Sequence, residues 1–455
     1  MNYVDFREID GALFEELIIG GASELKKHLM EVNNLNVFPV PDGDTGDNML
    51  RTIDGGISSM KELASTSIGD KSKALSRGML LNARGNSGVI LSQLFKGVSI
   101  GLKGKDKANI ADLVEAAIQA YKTAYNAVIE PVEGTMLTVA RESAEKAKEK
   151  ITEETTLGEA GNLLVDEMKI SLENTPELLA VLKEAGVVDS GGAGLLYLAL
   201  GFRKVIHDIA IELDEDEFNY EEKAINSSVK GRKERKDFGT CAVVNGRGLI
   251  EVFKDLGADV ILDGGQTNNT STKDFMNAFD EINADHIFVF PNNSNIFLAA
   301  KQAKEMYTKS EIHIIESYNI GQAYAAFAMM DFSSNNVDEI IANFNDSMSM
   351  IQTAFISKAI RDANLNGVSI KLDDYFGFTD KTMLVSTPNK LETVFALFDK
   401  INVKNHEFLT LVYSDNVKEE EKQEIMSYLQ SHYPMLEAYE INGGQDAYEF
   451  IIIAE

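Results

Sequence analysis

Three aspartates fall within six positions of the stretch NVFPVPDGDTGDNML, residues 36–50. They are Asp42, Asp44 and Asp47, and Thr45 and Asn48 stand beside them as neutral oxygen donors. Like charges this close together repel each other unless something positive lies among them. Mg2+ prefers oxygen ligands and commonly bridges carboxylates to substrate phosphates, so the spacing predicts a site for one or two such ions. A helix N-cap at Asp44 or Thr45 is the alternative, and it explains one carboxylate rather than three.

Three further glycine-containing breaks carry small polar residues and, like the aspartate stretch, stand directly before predicted helices. They are ARGNSGV with Asn86, Ser87 and Gly88, EGTM with Gly134, Thr135 and Met136, and VDSGGAG with Asp189. A helix start exposes unpaired N–H groups and the positive end of the helix dipole, which suits a phosphate. Each break alone is better explained as an ordinary turn or an N-cap. Together with the aspartates, the four breaks favour a nucleotide site on a common rim.

The elements that must position these residues are helices. From about residue 8 to residue 209 the apolar residues recur at helical spacing, and almost no segment has the pattern of a β-strand. The clearest amphipathic stripe runs from Ile110 through Leu113 and Ala117 to Tyr121. About eight helices are predicted, near 13–25, 49–60, 71–82, 86–101, 110–121, 135–150, 158–173 and 191–210. An all-α bundle is therefore expected for residues 1–210.

The remainder of the chain has a different pattern. Residues 211–236 combine an acidic run with a basic run and no periodicity, which predicts a charged, solvated linker. From 237 to 455, short β-branched runs alternate with helices, which predicts an α/β domain with a mostly parallel sheet. A long helical stretch is expected at about 336–363. The segments TNNTSTKD and PNNSN are interpreted as turns, with partner docking as the alternative.

Composition limits the function classes. The chain has 455 residues, 44% apolar and 25% charged, which is typical of a globular protein of two or three domains. A net charge of −29 disfavours nucleic acid and anionic membranes as partners. The single cysteine, Cys241, excludes an internal disulfide, and none of the six histidines has ligand spacing. No apolar run approaches the ~20 residues of a membrane span, and MNYVDFREIDG carries no secretory signal, so a cytoplasmic protein is expected.

The segments NVFPVPDGDTGDNM, ARGNSGVILSQ, EGTMLTVAR and VDSGGAGLL, in this order, resemble the nucleotide-binding L domain of the dihydroxyacetone kinase family. More closely, the chain is similar to the family of bacterial fatty acid kinase A subunits, and GGQTNNTSTKDF and FPNNSNI resemble its DegV-like C-terminal domain. The resemblance implies a ring of eight helices with ATP at one end. One departure is that the middle domain of longer members, which carries a cysteine and histidines, is absent here. Cys241 is therefore expected to be a packed strand residue.

Carried over position by position, the resemblance implies a role for each polar segment. Asp42, Asp44 and Asp47 correspond to carboxylates that hold two Mg2+ ions on the phosphates of ATP. Asn86, Ser87 and Gly88 correspond to the loop beside the phosphates. Gly134, Thr135 and Met136, together with Asp189, correspond to segments that line the nucleotide.

The resemblance also implies transfer of a phosphoryl group from ATP to a fatty acid carboxylate, giving acyl phosphate and ADP. The acid would be presented by a separate DegV-like fatty-acid-binding protein. A carboxylate is already ionised at neutral pH, so no general base is required, and the four segments contain no histidine. Two alternatives stay open. One is a dihydroxyacetone-type kinase or phosphotransfer subunit, whose hydroxyl acceptor would need a base; the other is a nucleotide-binding regulator without turnover. Whether the protein forms a homodimer is also left open.

Overall fold

The computed structural model describes residues 2–36, 43–128, 130–210, 235–265, 268–360, 362–380 and 382–455. These residues belong to two compact units. The first unit contains Met1–Lys223 with Ser271–Lys273, and the second contains Ala224–Thr270 with Asp274–Glu455. Asp42 and most of the predicted charged linker lie outside the described residues.

The first unit is helical. Its described residues form α1 (Gly11–Lys27), α2 (Leu29–Leu35), α3 (Thr45–Lys61), α4 (Ile68–Asn82), α5 (Gly85–Gly101), α6 (Ile110–Ala127), α7 (Met136–Lys150), α8 (Leu157–Leu178), α9 (Ala180–Ala185) and α10 (Ser190–Ile206). The eight long helices are those predicted from the apolar spacing, and the short α2 and α9 were not predicted. Two short strands, β1 (Glu8–Asp10) and β2 (Lys107–Asn109), pair antiparallel.

Several of the long helices start where a polar side chain accepts hydrogen bonds from the first N–H groups. Asp10 accepts from the first turn of α1, and Asn109 and Asp112 form a reciprocal capping box at α6. Along the chain, each of the long helices α3 to α8 packs on the next one. Helix α8 then packs on α10, α10 on α1, and α1 on α3, so the series of contacts returns to the helix where it began. The apolar faces meet in one core that contains Leu25, Met49 and Ile53, all fully buried.

The second unit begins with the alternating pattern that predicts a parallel sheet. In order along the chain are β3 (Lys236–Val244), α11 (Arg247–Asp255), β4 (Val260–Asp263), α12 (Thr272–Ile282), β5 (Ala284–Phe290), α13 (Phe297–Met306) and β6 (Glu311–Ile314). The four strands form a sheet in the order β4-β3-β5-β6, and every pair is parallel. Cys241 lies fully buried on β3, opposite Val260 and Val289, so it is a packed strand residue.

A second sheet follows. The elements are α14 (Ile320–Ala328), α15 (Val337–Ser349), β7 (Gln352–Lys358), β8 (Ala363–Leu365), β9 (Val368–Ile370), β10 (Tyr375–Thr379), β11 (Thr382–Thr387), α16 (Lys390–Lys400), β12 (Phe408–Tyr413), α17 (Glu419–His432), β13 (Glu437–Asn442) and β14 (Phe450–Ala454). Six strands are ordered β11-β10-β7-β14-β12-β13, with helices α16 and α17 contributing Leu397, Phe398 and Ile425 to the core.

Two expectations for this region are corrected. Only the β12–β13 pair, which is joined through α17, is parallel in the six-stranded sheet, so "mostly parallel" holds for the first sheet alone. The long helix expected at about 336–363 ends at Ser349, and Gln352–Lys358 is a central strand. Its buried residues Ala354 and Ile356 pack in the sheet core, where strand pairing decides the conformation.

Among the residues described, the structure contains no helix with the length and apolar character to span a bilayer.

Candidate functional site

The amino-terminal ends of α3 and α10 lie against each other, although they are far apart in sequence. The hydroxyl of Ser190, the first residue of α10, donates to Oγ1 of buried Thr45 at 3.2 Å. Thr45 is in turn the first residue of α3, which also carries Asp47 and buried Asn48 in its first turn. Two of the four predicted glycine-containing breaks therefore meet at their helix starts.

The start of α5 joins the same place from the other side of α3. A Cβ built on Gly88 would lie 2.3 Å from Oγ1 of Thr52 and 3.0 Å from the carbonyl oxygen of Asn48. The backbone N–H of Arg84, which precedes α5, donates to Thr52 Oγ1 at 3.3 Å. Only glycine at position 88 lets the two helices approach this closely. Asn86 and Ser87 are half-buried in the first turn of α5.

Asp189 connects the start of α10 to the start of α7. Its Oδ2 accepts from the N–H of Gly192 at 2.6 Å, and the N–H of Met136 donates to the same carboxyl group. Desolvation raises the pKa of Asp189 to about 6, although these two backbone donors act in the opposite direction. We call the adjoining ends of α3, α5, α7 and α10 the helix-start cluster.

The loop before α7 is held by a network around Glu133. The N–H of Gly134, at φ +83°, donates to Thr138 Oγ1 at 2.8 Å, and Thr138 donates to Glu133 at 2.7 Å. Arg141 also donates to Glu133, at 2.9 Å. Desolvation would raise the pKa of Glu133, but the hydrogen bonds outweigh it and the pKa is lowered. Thr135 stands at the N-cap position of α7, and its hydroxyl donates to the carbonyl of Val132.

Asn33 on α2 fixes the turn that carries Asp44 and Asp47, which we call the aspartate turn. No motif in the sequence indicates this role. Its Oδ1 accepts from the N–H of Gly46 at 2.8 Å and from that of Asp47 at 3.4 Å. Its Nδ2 donates to Oδ2 of Asp47 at 2.7 Å. Asn33 lies in a separate short helix, so only the fold brings it to the turn.

These contacts bear on the N-cap alternative. Asp44 occupies the N-cap position of α3, but its side chain makes no capping hydrogen bond. The amide oxygen of Asn33 caps α3 instead, because it accepts from the N–H groups of Gly46 and Asp47. The carboxylates of Asp44 and Asp47 are therefore not needed to cap the helix, which fits a role as oxygen donors to a divalent cation. Asp42, the third aspartate, is outside the described residues.

One further acid on α3 stands out only in the structure. Asp54 follows Asp47 by two helical turns, and its Oδ1 is buried with no hydrogen-bond partner among the described residues. Burial raises the pKa of Asp54 to about 7, against the opposing charges of Lys26 and Lys61. A carboxyl group with this pKa exchanges its proton near neutral pH.

The arrangement suits a metal-bound polyphosphate. Four helix starts present N–H groups and dipole ends that attract an anion, while the aspartate turn supplies carboxylates that attract a cation. A phosphate alone would be repelled by the acidic side chains of the turn, and a cation bound between them removes that repulsion. Except for Asp42, the structure describes every site residue that was named from the sequence. Each of them lies in the first turn of α3, α5 or α7, or directly before α3, α7 or α10.

Comparison with known families gives two matches. Residues 239–455 match the C-terminal domain of the FakA-like fatty acid kinase family, and residues 39–204 match the DAK2 domain. Together the two matched regions take in most of the chain.

Relatives match over nearly the whole length. Protein YloV of Bacillus subtilis is 29% identical over 556 residues, covering 99% of this chain and 100% of the relative. An uncharacterized protein of Staphylococcus epidermidis, SERP0792, is 30% identical over 551 residues, covering 98% of this chain and 100% of the relative. Since these alignments are longer than the 455 residues of this chain, both relatives contain stretches without a counterpart here.

Among solved structures, the dihydroxyacetone kinase from C. freundii in complex with AMP-PNP and Mg2+ is 18% identical, with a TM-score of 0.33. The likeness covers 44% of this chain and 35% of that one.

Proposed function

Because the chain belongs to the FakA-like family of fatty acid kinases, we propose that it is the kinase component of an ATP- and Mg2+-dependent fatty acid phosphotransferase. The acceptor is the carboxylate of a fatty acid presented by a separate, DegV-like lipid-binding protein. The products are an acyl phosphate and ADP.

The observation that supports this proposal is the helix-start cluster beside the aspartate turn. Phosphoryl transfer asks a protein mainly for positioning and for neutralisation of phosphate charge. The starts of α3, α5, α7 and α10 provide fixed positive dipole ends, and Asn33 fixes the direction of Asp47. Fixed dipoles need no reorganisation during the reaction, which is the main source of electrostatic catalysis.

Each residue has a proposed place in this site. Asp42, Asp44 and Asp47 hold up to two Mg2+ ions, with Thr45 and Asn48 at the same turn. When bound, Mg2+ neutralises charge on the β- and γ-phosphates. Asn86, Ser87 and Gly88 lie beside the phosphates. Gly134, Thr135, Met136 and Asp189 face the remainder of the nucleotide.

A fatty acid carboxylate is proposed as the acceptor because its reaction needs no base in the site. A fatty carboxylate is ionised at neutral pH and attacks without losing a proton, so the site needs no histidine. A hydroxyl acceptor would need a base within hydrogen-bond reach. Asp189 already accepts two backbone N–H groups, so its carboxyl group serves to connect α7 with α10 rather than to accept a substrate proton.

The test is transfer with the purified partner. Wild-type protein, a DegV-like protein loaded with fatty acid, ATP and Mg2+ should yield acyl phosphate, trapped with hydroxylamine. Asp44→Asn and Asp47→Asn should each reduce the rate by on the order of 100-fold or more, because charge neutralisation at the phosphates is lost. Asp166→Asn, an exposed carboxylate on α8, is the matched control and should retain the wild-type rate. Unchanged transfer by both aspartate variants would refute the proposal.

The DAK2 match favours a second candidate, a dihydroxyacetone-type kinase or phosphotransfer subunit. Assays of the same preparation with triose acceptors distinguish the two candidates. Nucleotide binding without transfer to either acceptor, in the presence of the lipid-loaded partner, would instead indicate a regulator.

A further inference from the structure

Two histidines that are 27 residues apart come together on the first sheet of the second unit. His286 lies on β5 and His313 on β6, the edge strand, and the two strands are parallel neighbours. The register places His286 opposite Glu311 and Phe288 opposite His313. Residues two apart on a strand share a face, so His286, Glu311 and His313 all lie on one face of the sheet.

The three side chains converge. Nδ1 of His286 is 3.1 Å from Nε2 of His313 and 3.5 Å from Oε2 of Glu311, while Nε2 of His313 is 3.9 Å from Oε1 of Glu311. Among the residues that the structure describes, this is the one group of three His, Cys, Asp or Glu side chains close enough to share a cation. In a tetrahedral Zn2+ site with Zn–N distances of 2.0–2.1 Å, neighbouring ligand atoms are about 3.3 Å apart.

The surroundings fix the rings in place. The ring of His286 stacks on Phe238 with centroids 5.7 Å apart, and His313 lies 5.3 Å from Phe288. The side chain of His313 is 12% exposed and that of Glu311 is 67% exposed, so one side of the group is packed and the other is open to solvent. Two ring nitrogens 3.1 Å apart must share one proton between them, and a metal ion can take the place of that proton.

We propose that His286, Glu311 and His313 form a binding site for a divalent transition-metal ion, of which Zn2+ is the representative. Two imidazoles and one carboxylate suit Zn2+ and its neighbours, whereas Mg2+ and Ca2+ prefer oxygen ligands alone. Three protein ligands leave a fourth position, which faces solvent. Lys304 and Asp338 are the other charged groups that act on His313.

A metal ion here would join the edge strand β6 to β5. Since the ion binds the folded sheet and finds no preformed site in the unfolded chain, its binding stabilises the second unit. The inference is independent of the proposed kinase activity because it uses none of the residues of the helix-start cluster.

The test is Zn2+ binding to the full chain in a large excess of Mg2+, which competes for sites made of oxygen ligands alone. Calorimetry should show one site, and Co2+ in its place should give the visible absorption of a tetrahedral complex. Glu311→Gln and His313→Gln should weaken Zn2+ binding by at least about tenfold, since even residues behind metal ligands have effects of 10–100-fold. His432→Gln and Glu420→Gln, both exposed on α17, are the matched controls and should bind as the wild type does.

Two results would overturn the proposal. One is a wild-type protein that binds no Zn2+ under these conditions; the other is a Glu311→Gln variant with wild-type affinity. The melting temperature without metal shows whether His313→Gln still folds. If it does not, Glu311→Gln decides, because its side chain is mostly exposed and its replacement leaves the packing of the sheet intact.

Discussion

Asn33 donates from Nδ2 to Oδ2 of Asp47 at 2.7 Å, and the other atom of the same amide, Oδ1, accepts from the first turn of α3. One buried side chain therefore caps the helix and directs a carboxylate of the proposed metal site. The cap contributes to stability, whereas the direction of Asp47 affects metal binding. The two contributions can be separated by mutation because they use different atoms of Asn33.

We expect Asn33→Ala to lose both the cap of α3 and the fixed direction of the Asp47 side chain. Removing a cap lowers the free energy of unfolding by about 1 kcal/mol, and releasing a metal-binding carboxylate weakens MgATP binding by about tenfold. Asn33→Asp keeps an oxygen for the cap but loses the donor and repels Asp47. It should therefore bind MgATP as weakly as Asn33→Ala while recovering part of the stability. Urea denaturation and the KM for MgATP, with kcat measured separately, check both effects.

Asn343→Ala, an exposed position on α15, is the control and should change neither quantity. A purely structural role for Asn33 would show as the reverse pattern, with Asn33→Asp restoring MgATP binding in proportion to stability.

Gly88→Ala should destabilise the protein by about 1–3 kcal/mol, because the added methyl group overpacks the contact between α5 and α3. The methyl would press on Thr52 Oγ1 and on the backbone of Asn48, so MgATP binding should weaken too. Gly161→Ala on α8 is the matched control. Its methyl would meet only the flexible end of Ile206, and alanine favours the helix, so stability should be unchanged or slightly raised. Thermal unfolding measures the stability of both variants. A Gly88→Ala variant as stable as the wild type would show that α3 and α5 separate easily.

Asp54 makes stability depend on pH. Its pKa is about 7 in the folded protein against an ordinary value of 3.8, so the folded state holds a proton that the unfolded state releases. The free energy of unfolding must then fall as pH rises from about 4 to about 7 and level off above that. Asp54→Asn should be about 1–3 kcal/mol more stable than the wild type at pH 8, with little difference at pH 4.

Urea denaturation of both proteins at the two pH values measures this, and the difference between them removes the contribution of all other groups. Asp166→Asn should give a difference that is flat with pH. If Asp54→Asn were less stable than the wild type at pH 8, the carboxylate would have to have a partner in its charged form.

MgATP should raise the melting temperature, since a ligand that binds only the folded state stabilises it by about 2.7 kcal/mol at 100 times its Kd. ATP with EDTA should have a much smaller effect, because the carboxylates of Asp44 and Asp47 repel phosphates without a cation between them. Asp47→Asn should lose the Mg2+-dependent part of the shift. Equal shifts with and without Mg2+ would argue against the proposed metal site.

The sequence is most informative where structure depends on local pattern. The eight long helices follow from apolar spacing, and the four helix starts follow from glycine-containing breaks with small polar residues. The helix predicted over Gln352–Lys358 is wrong. The apolar residues there fit the spacing of a helix as well as that of a strand, and the neighbouring strands that favour the strand are distant in sequence. The edge strand Glu437–Asn442 is mostly exposed and contains no apolar run, so the sequence alone does not indicate its pairing with β12.

Residues that act through long-range contacts could not be found from spacing. Asn33 reaches Asp47 from another helix, and nothing near it in sequence marks it as a positioning residue. The histidines at 286 and 313 have no ligand spacing along the chain, since the parallel register of β5 and β6 alone brings them together. One histidine on each of two consecutive predicted parallel strands, with a glutamate two residues before the second, is the signal that would have indicated the group.

The contact between Thr45 and Ser190 also sets an order of events during synthesis. The two residues are 145 positions apart, and α10 is the last of the helices described before residue 211 as well as the neighbour of α1. A growing chain on the ribosome has therefore made α3, α5 and α7 long before the element that joins them is available. The proposed nucleotide site is incomplete in nascent chains shorter than this point, so we expect no ATP binding until α10 has been made.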